Sequence, residues 1–168
     1  VDENHILWGI LEMRLDGSCH CKRVTFQIES DHPYPFNLCY CSICRKTAGG
    51  GGFAINLGGI AQSLCVSGES FISIYRALED SSEKESLCER RFCKICGSAL
   101  WVWDPRWPEL IHPFASAIDT PLPIPPSKTH LMLGSKKEWV EVDVAQSDLQ
   151  FSEYPDESIA QWHRKHNL

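Results

Sequence analysis

The segment Cys93-Lys94-Ile95-Cys96-Gly97 decides how this chain of 168 residues folds. Two cysteines separated by two residues can bind one metal ion, because the turn between them directs both sulfur atoms to the same side. Gly97, directly after the second cysteine, can adopt the positive φ that such a turn requires. The segment therefore contains half of a tetrahedral zinc site, and the other half has to come from elsewhere in the chain.

A second pair of cysteines, in Cys19-His20-Cys21, supplies the missing half. Residues two apart next to a strand project to the same side, so both sulfurs can reach one ion. Together with Cys93 and Cys96 they make a site of four thiolates. Such a site joins the beginning of the domain to its middle, which is how a structural zinc ion contributes free energy of folding.

The third group of cysteines, in Cys39-Tyr40-Cys41-Ser42-Ile43-Cys44, supplies three ligands from six consecutive residues. Three protein ligands with an open fourth position are typical of catalytic zinc. Alternatively, Cys65, Cys88 or His20 completes the tetrahedron and the second site is structural as well. We predict two zinc ions per chain, one structural and one functional.

Nine cysteines in a chain of this size also raise the question of disulfides. Seven of the nine lie in the three short groups, whereas a disulfide framework scatters its cysteines, and an odd number cannot pair completely. A redox-active pair at Cys93 and Cys96 is the third alternative. The spacing favours metal, and it leaves Cys65 and Cys88 as small buried apolar residues.

The remaining sequence predicts a mostly β domain built from two or more small antiparallel sheets with short helices. Short runs rich in aromatic and β-branched residues predict strands. Helical spacing is confined to residues 41–48 and to the tail after Pro155. Acidic and proline-rich stretches, residues 79–86 and 120–127, predict loops. The predicted strands are residues 24–28, 52–57, 71–75, 99–103, 130–133 and 139–144.

The composition argues against two classes of partner. The formal charge is −6 with acids and bases interspersed, so the chain lacks the basic patch that nucleic acid requires. No stretch reaches the roughly 18 to 20 apolar residues of a membrane span. Asp2 and Glu3 stand where a signal peptide carries positive charge, so we predict no targeting segment and a cytoplasmic location. The oligomeric state is left open.

The residues that follow the third group of cysteines suit an anionic ligand. Arg45 and Lys46 come directly after Cys44, and positive charge attracts an anion and lowers the pKa of thiols. Gly50 and Gly51 belong to a run of four glycines that permits close approach of the backbone to a ligand. We predict these four residues to bind substrate, with solvated charges and a plain turn as the alternatives.

The three groups, in their order and with their flanking residues, resemble the glutathione-dependent formaldehyde-activating enzyme family. The match rests on Gly17-Ser18-Cys19-His20-Cys21, on Cys39 to Arg45 and on Arg91-Phe92-Cys93-Lys94-Ile95-Cys96-Gly97-Ser98. The resemblance extends over residues 15–155, because Ala117-Ile118-Asp119, His130 and Trp139 also match features of the family. Residues 1–14 are then an N-terminal extension, and residues 156–168 are a tail that we predict to be helical.

The resemblance implies a β-tent zinc fold and carbon–sulfur lyase chemistry. It implies that Cys19, Cys21, Cys93 and Cys96 hold the structural ion and that Cys39, Cys41 and Cys44 hold the functional one. The substrate class it implies is a small thiol or thioether such as a glutathione conjugate, and the family reaction joins formaldehyde to glutathione. Asp119 is the first candidate for proton transfer, ahead of His112, His130 and His20. The alternative function is a non-catalytic, zinc-stabilised binding module.

Overall fold

The described part of the chain is a mostly β structure, as predicted. The computed structural model describes residues 13–34, 36–78 and 84–166. These residues form three small sheets and two α-helices. No helix among them is long and apolar enough to cross a membrane. The predicted N-terminal extension lies outside the described residues up to residue 12, and the predicted loop at 79–86 does so up to residue 83.

The three-stranded sheet is antiparallel and carries the first pair of cysteines at one end. Its strand order is β1 (Met13–Ser18), β2 (Thr25–Ser30) and β6 (Cys65–Ser67). In β2 every second residue is buried, which is the alternation expected of a sheet with one face on the core. Phe26 and Ile28 lie on that face. The short connection between β1 and β2 contains Cys19 and Cys21.

The five-stranded sheet is also antiparallel, and its central hairpin carries the second pair of cysteines. Its order is β5 (Gly59–Ile60), β10 (Leu110–Pro113), β9 (Ala99–Trp103), β8 (Glu89–Cys93) and β7 (Ile72–Tyr75). Trp101 is buried and packs edge-on against Phe26, with 5.0 Å between ring centroids. This contact joins the core faces of the three-stranded and five-stranded sheets.

The four-stranded sheet is mixed, whereas the sequence led us to expect antiparallel sheets. Its order is β12 (Leu149–Gln150), β11 (Lys128–Leu131), β3 (Phe36–Cys39) and β4 (Ala54–Asn56). Strand β11 runs parallel to both β3 and β12, and β4 pairs with β3 antiparallel. Parallel neighbours need long connections, and β3 and β11 are separated by most of the chain. Strand β3 ends at Cys39, where the third group of cysteines begins.

The two helices are short. Helix α1 (Ser42–Ala48) follows β3 directly, and the Cys41 side chain caps its N-terminus by accepting from the Cys44 amide. Helix α2 (Ile159–Lys165) lies in the C-terminal tail and begins with a capping box between Ser158 and Gln161. Trp162 of α2 is buried in the core.

One predicted strand is wrong. Residues 139–144 form no strand, although their aromatic and β-branched residues suggested one. Val140 donates its amide to the Lys137 carbonyl in a tight turn, and its own carbonyl accepts from the Lys136 ammonium. Its backbone groups are therefore used locally. Trp139 is exposed, Val140 is buried and Val142 packs half-buried against the core, so the apolar residues of this segment contact the core without pairing as a strand.

Candidate metal centres and the pocket between them

The first two pairs of cysteines come together in a four-cysteine cluster, formed by Cys19, Cys21, Cys93 and Cys96. Their sulfur atoms all lie within 4.8 Å of one another. The Sγ atoms of Cys19 and Cys21 are 3.5 Å apart, and those of Cys21 and Cys93 are 3.8 Å apart. A tetrahedron with Zn–S bonds of about 2.3 Å has edges of about 3.8 Å. The spacing fits a four-thiolate zinc ion, and all nine cysteines of the chain are free thiols.

Two tight turns present the sulfurs of this cluster. After Cys21, Lys22 adopts φ 59° and donates its amide to the Cys19 carbonyl. After Cys96, Gly97 adopts φ 75° and donates its amide to the Cys93 carbonyl. The positive φ expected for Gly97 is thus found, and Lys22 takes the corresponding conformation in the other turn.

Hydrogen bonds favour thiolates at two residues of the four-cysteine cluster, Cys19 and Cys96. Burial alone raises the pKa of Cys19, but hydrogen bonds from the Val24 amide and the neighbouring thiols bring this pKa below its ordinary value. The Ser98 hydroxyl lowers the pKa of Cys96 to about 5. The Arg23 amide lowers the pKa of Cys21, but desolvation and the other three thiols raise it to about 11. Because metal binding requires deprotonated sulfur, binding at neutral pH displaces a proton from Cys21.

The third group forms a separate three-cysteine cluster of Cys39, Cys41 and Cys44, whose sulfur atoms also lie within 4.8 Å of one another. All three residues are buried. Cys39 ends β3, Cys41 caps helix α1, and Cys44 lies in the first turn of that helix. Among the described residues, no fourth cysteine, histidine or acidic side chain joins this cluster within the same distance.

The three thiols share negative charge unequally. Hydrogen bonds from the thiols of Cys39 and Cys44 lower the pKa of Cys41 to about 2. Hydrogen bonds with the thiols of Cys41 and Cys44, followed by burial, hold the pKa of Cys39 far above its ordinary value. The Cys44 amide also donates to the Cys41 sulfur, at 3.3 Å. The surroundings of the cluster thus favour a thiolate at Cys41.

One face of the five-stranded sheet packs against the three-cysteine cluster. Val102 of β9 belongs to the same buried group as the three cysteines. Its cross-strand neighbours are Arg90 of β8 and His112 of β10. Directly paired residues point to the same face of a sheet, so these three side chains form a row on the side of the cluster. The Arg90 guanidinium reaches Cys44 itself, with 3.9 Å between Nη2 and Sγ.

A buried hydrogen-bonded chain fixes the loop between Cys39 and Cys41. The Tyr40 hydroxyl lies 2.9 Å from Nδ1 of His130, and Nε2 of His130 lies 3.2 Å from a carboxylate oxygen of Asp148. Tyr40 and His130 are each only 1% exposed. These hydrogen bonds hold His130 in the core and tie the end of β3 to the segment before β12.

Tyr154 approaches the three-cysteine cluster from the surface. Tyr154 is 67% exposed as a whole, but desolvation of its hydroxyl near the cluster, followed by the negative charge of the three sulfurs, raises the pKa of the phenol to about 12. The phenol is therefore protonated at neutral pH. Nothing in the sequence around Tyr154 indicated this position, because it depends on the pairing of residues 151–153 with the segment after β11.

A polar pocket of about 460 Å³ is lined by Cys19 of the four-cysteine cluster and extends to two alanines that pack against the three-cysteine cluster. It is lined by Ser18, His20 and Lys22 near the four-cysteine cluster, and by Ala48 and Ala99 near the three-cysteine cluster. Cys44 and Ala48 are four residues apart in α1, which places them on one face and about 6 Å apart along the axis. The part of the pocket lined by Ala48 is therefore on the side of α1 that carries Cys44.

Asp119, the first candidate for proton transfer, lies in this polar pocket. The Ser18 hydroxyl and then the Lys22 ammonium lower the pKa of Asp119, and the ammonium nitrogen is 3.3 Å from its carboxylate. The residue is thus a carboxylate at neutral pH. His20, the last candidate, is exposed beside the same pocket.

The residues predicted to bind substrate lie along and after helix α1. Arg45 is half-buried, and its Nε atom has no hydrogen-bond partner among the described atoms. Lys46 is exposed. Gly50 and Gly51 lie in a turn where an added Cβ atom meets nothing within 4 Å. The open surroundings of both glycines leave room for a ligand, although neither lines the polar pocket.

A mostly β chain with one four-cysteine and one three-cysteine cluster, both with zinc-compatible spacing, defines a class of metal-binding β proteins. Residues 14–134 match the model of a family described as glutathione-dependent formaldehyde-activating enzyme. The chain belongs to this family.

Two known proteins illustrate the relationship. A protein from Halomonas elongata, named "putative glutathione-dependent formaldehyde-activating enzyme", is 60% identical over 156 residues, which are 93% of this chain and 98% of the relative. A crystal structure of a Rhodobacter sphaeroides protein is similar with a TM-score of 0.51 at 23% identity. The similar region covers 64% of this chain and 91% of the Rhodobacter sphaeroides chain. The second similarity concerns the fold alone.

Proposed function

We propose that the chain is a zinc-dependent carbon–sulfur lyase that forms or cleaves the bond between a thiol and a small electrophile such as formaldehyde. The observation that carries this proposal is the three-cysteine cluster. It gathers three buried sulfurs without a fourth protein ligand among the described residues, and a polar pocket borders two alanines, Ala48 and Ala99, that pack against it. Family membership supports the same chemistry with glutathione as the thiol.

The two clusters have different roles in this proposal. The four-cysteine cluster has a complete set of ligands, so a zinc ion there is closed to substrate and stabilises the fold. The three-cysteine cluster leaves a position for substrate. A zinc ion held by Cys39, Cys41 and Cys44 supplies a Lewis acid that stabilises negative charge on a substrate sulfur.

The reaction requires two proton movements, and residues of this chain provide for them. When a thiol adds to an aldehyde, a carbon–sulfur bond forms, the thiol loses its proton and the carbonyl oxygen gains one. His112 is the residue we propose for this transfer, because it lies in the row that faces the three-cysteine cluster. Its Nδ1 donates to the Leu57 carbonyl, at 3.1 Å, which leaves Nε2 as the basic atom. Burial lowers the pKa of His112, so the ring is neutral at pH 7.

The polar pocket suits the peptide part of a glutathione conjugate. Glutathione carries carboxylates and an ammonium group, and Lys22 and Asp119 provide one charge of each sign. In this role Asp119 binds substrate, and its part in proton transfer stays a prediction. Arg45 and Lys46 remain the proposed contacts for a substrate carboxylate nearer to the cluster, and Gly50 and Gly51 remain proposed backbone contacts.

Metal analysis combined with an activity assay tests the proposal. We expect elemental analysis to give two zinc ions per chain. We expect the protein to accelerate the reaction of formaldehyde with glutathione above the uncatalysed rate, and a chelator to abolish this acceleration. Two tightly held ions without turnover on any thiol adduct would contradict the enzyme proposal and favour the zinc-stabilised binding module. Metal-free protein with reactive thiols at Cys93 and Cys96 would favour redox exchange instead.

The proposal also includes the predicted compartment and partners of the protein. Two sites made of thiolates need a compartment that keeps cysteines reduced, which agrees with the predicted cytoplasmic location. The proposed partner is a small thiol or thioether, and neither nucleic acid nor a membrane is part of the proposal.

A further inference from the structure

Arg90 is a cation directed at the three-cysteine cluster, and the function proposed so far does not use it. Its Nη2 atom lies 3.9 Å from the Cys44 sulfur, and its Nη1 atom lies 3.4 Å from the Cys88 sulfur. Its Nε atom is buried without a hydrogen-bond partner among the described atoms. A buried charge is costly unless another charge compensates it. The negative sulfurs are therefore the compensation that the structure offers.

The positively charged side chains of strand β8 lie on opposite faces of the strand and have different partners. On one face, the buried carboxylate of Glu89 is paired with the guanidinium groups of both Arg76 and Arg91. On the other face, Arg90 points with Val102 towards the cysteines. Among the ion pairs of the described residues, none involves Arg90 with a carboxylate. Its charge is thus available to the cluster.

The net charge of the metal-bound three-cysteine site indicates which kind of fourth ligand the Arg90 guanidinium favours. Three thiolates and one divalent ion have a net charge of −1. A neutral fourth ligand leaves that charge unchanged, whereas a thiolate makes it −2. A guanidinium in contact with a ligand sulfur offsets one negative charge, so it stabilises the thiolate complex more than the neutral one.

We propose that Arg90 is the specificity residue of the three-cysteine site, which selects a thiolate over a neutral molecule as the fourth ligand of the metal. This inference rests on the proposed function, because it assumes that substrate sulfur reaches the metal. It assigns Arg90 a role through charge and hydrogen bonding to sulfur, without transfer of a proton.

Ligand binding to the cobalt-substituted protein tests this role without turnover. The probes are 2-mercaptoethanol, a thiol without a carboxylate, and imidazole, a neutral ligand. Each is titrated while the visible bands of Co²⁺ are recorded, and the closed four-cysteine site contributes a constant background. In Arg90→Gln we expect the dissociation constant of the thiol to rise about 10- to 100-fold, which is the usual range for a hydrogen bond to a charged group. The dissociation constant of imidazole should change less than about threefold in the same Arg90→Gln variant, because imidazole is neutral.

Two further variants make the result specific. Arg91→Gln removes a guanidinium from the opposite face of the same strand and should leave both dissociation constants unchanged. Arg90→Met introduces no polar atom that needs a partner, so it provides the same test if Arg90→Gln does not fold.

Each outcome supports or overturns the inference. A selective loss of thiol binding in the Arg90 variants supports it. Equal losses for thiol and imidazole, or no loss for either, overturn the role of Arg90 and leave the proposed function standing, provided that the unmodified protein binds the thiol. If the unmodified protein does not bind the thiol, whether or not it binds imidazole, the proposed function fails and the role of Arg90 fails with it.

Discussion

At the scale of single residues, Cys44 is the most direct test of the three-cysteine cluster. It is buried in the first turn of α1, and its sulfur belongs to that cluster only. Cys44→Ser replaces a thiolate with a hydroxyl of nearly the same size. We expect elemental analysis to give one zinc ion per chain instead of two, activity to be lost, and circular dichroism to show a folded protein.

Cys65 provides the control for this substitution. It is exposed on β6 and lies outside both clusters, which also corrects its predicted burial. Cys65→Ser should keep two zinc ions and full activity. If Cys44→Ser were insoluble like a variant of the four-cysteine cluster, the second site would be structural too.

His112 gives a prediction about the dependence of activity on pH. Burial lowers the pKa of this ring below 6.5, so the neutral base is present at pH 7 and is lost only as the pH falls through the lowered pKa. In His112→Gln we expect kcat/KM to fall about 10²- to 10⁴-fold, as for the loss of a general base. The acidic limb of the pH profile that belongs to His112 should disappear.

Metal loss at low pH is a second source of an acidic limb, because protons compete for thiolates. Zinc content is therefore measured at each pH, and only the range with full occupancy is compared. Asp119→Asn is the matched comparison. If it removes the acidic limb and His112→Gln does not, Asp119 is the proton-transfer residue that the sequence favoured.

At the scale of elements, the turn after helix α1 separates glycines that the fold requires from glycines that it does not. Gly52 has φ 98°, and an added Cβ atom would lie 2.3 Å from Cγ2 of the buried Val140. Gly50 has open space around it. Gly52→Ala should lower the free energy of unfolding by about 1 to 3 kcal/mol or more. Gly50→Ala should change it by less than about 0.5 kcal/mol.

Urea denaturation of the zinc-loaded variants measures this difference. A similar loss of stability in both would mean that the turn as a whole, rather than the contact with Val140, limits substitution. Activity adds a second comparison, because Gly50→Ala should affect substrate binding if the backbone at Gly50 touches the ligand.

The secondary structure predicted from the sequence is correct where the local residue pattern agrees with the tertiary environment. The predicted strand at residues 99–103 is β9 in full, and the predicted helix at 41–48 is α1 with its cap. Strand β8 was missed because Glu-Arg-Arg reads as a polar surface. It is a strand because it pairs with both β7 and β9, and its buried Glu89 is neutralised by Arg91 of the same strand and by Arg76, which directly follows β7. Pairing with neighbouring strands depends on the tertiary fold, which the local pattern does not contain.

At the scale of the whole molecule, the sequence predicted the grouping of the cysteines better than their surroundings. Short spacings limit which sulfurs can meet, and the structure brings together the same seven residues in the same two clusters. Arg90, Tyr154 and the row through Val102 depend instead on strand register and on long-range pairing. The β-tent assignment remains what the resemblance implies.

The four-cysteine cluster joins two sheets, because Cys19 and Cys21 follow a strand of the three-stranded sheet and Cys93 ends a strand of the five-stranded sheet. Apparent binding free energies of structural zinc are about 10 to 16 kcal/mol, whereas whole domains are stable by about 5 to 15 kcal/mol. Loss of this ion should therefore remove most of the stability.

Cys93→Ser should accordingly give unfolded or insoluble protein, while Cys44→Ser keeps a cooperative unfolding transition in urea. A strong chelator should reproduce both stages in the unmodified protein. Activity disappears first, because a site with three protein ligands releases its ion more readily than a closed site with four, and the circular dichroism signal is lost later. If Cys93→Ser unfolded cooperatively at the same urea concentration as the unmodified protein, the contact between Phe26 and Trp101, rather than the metal, would hold the two sheets together.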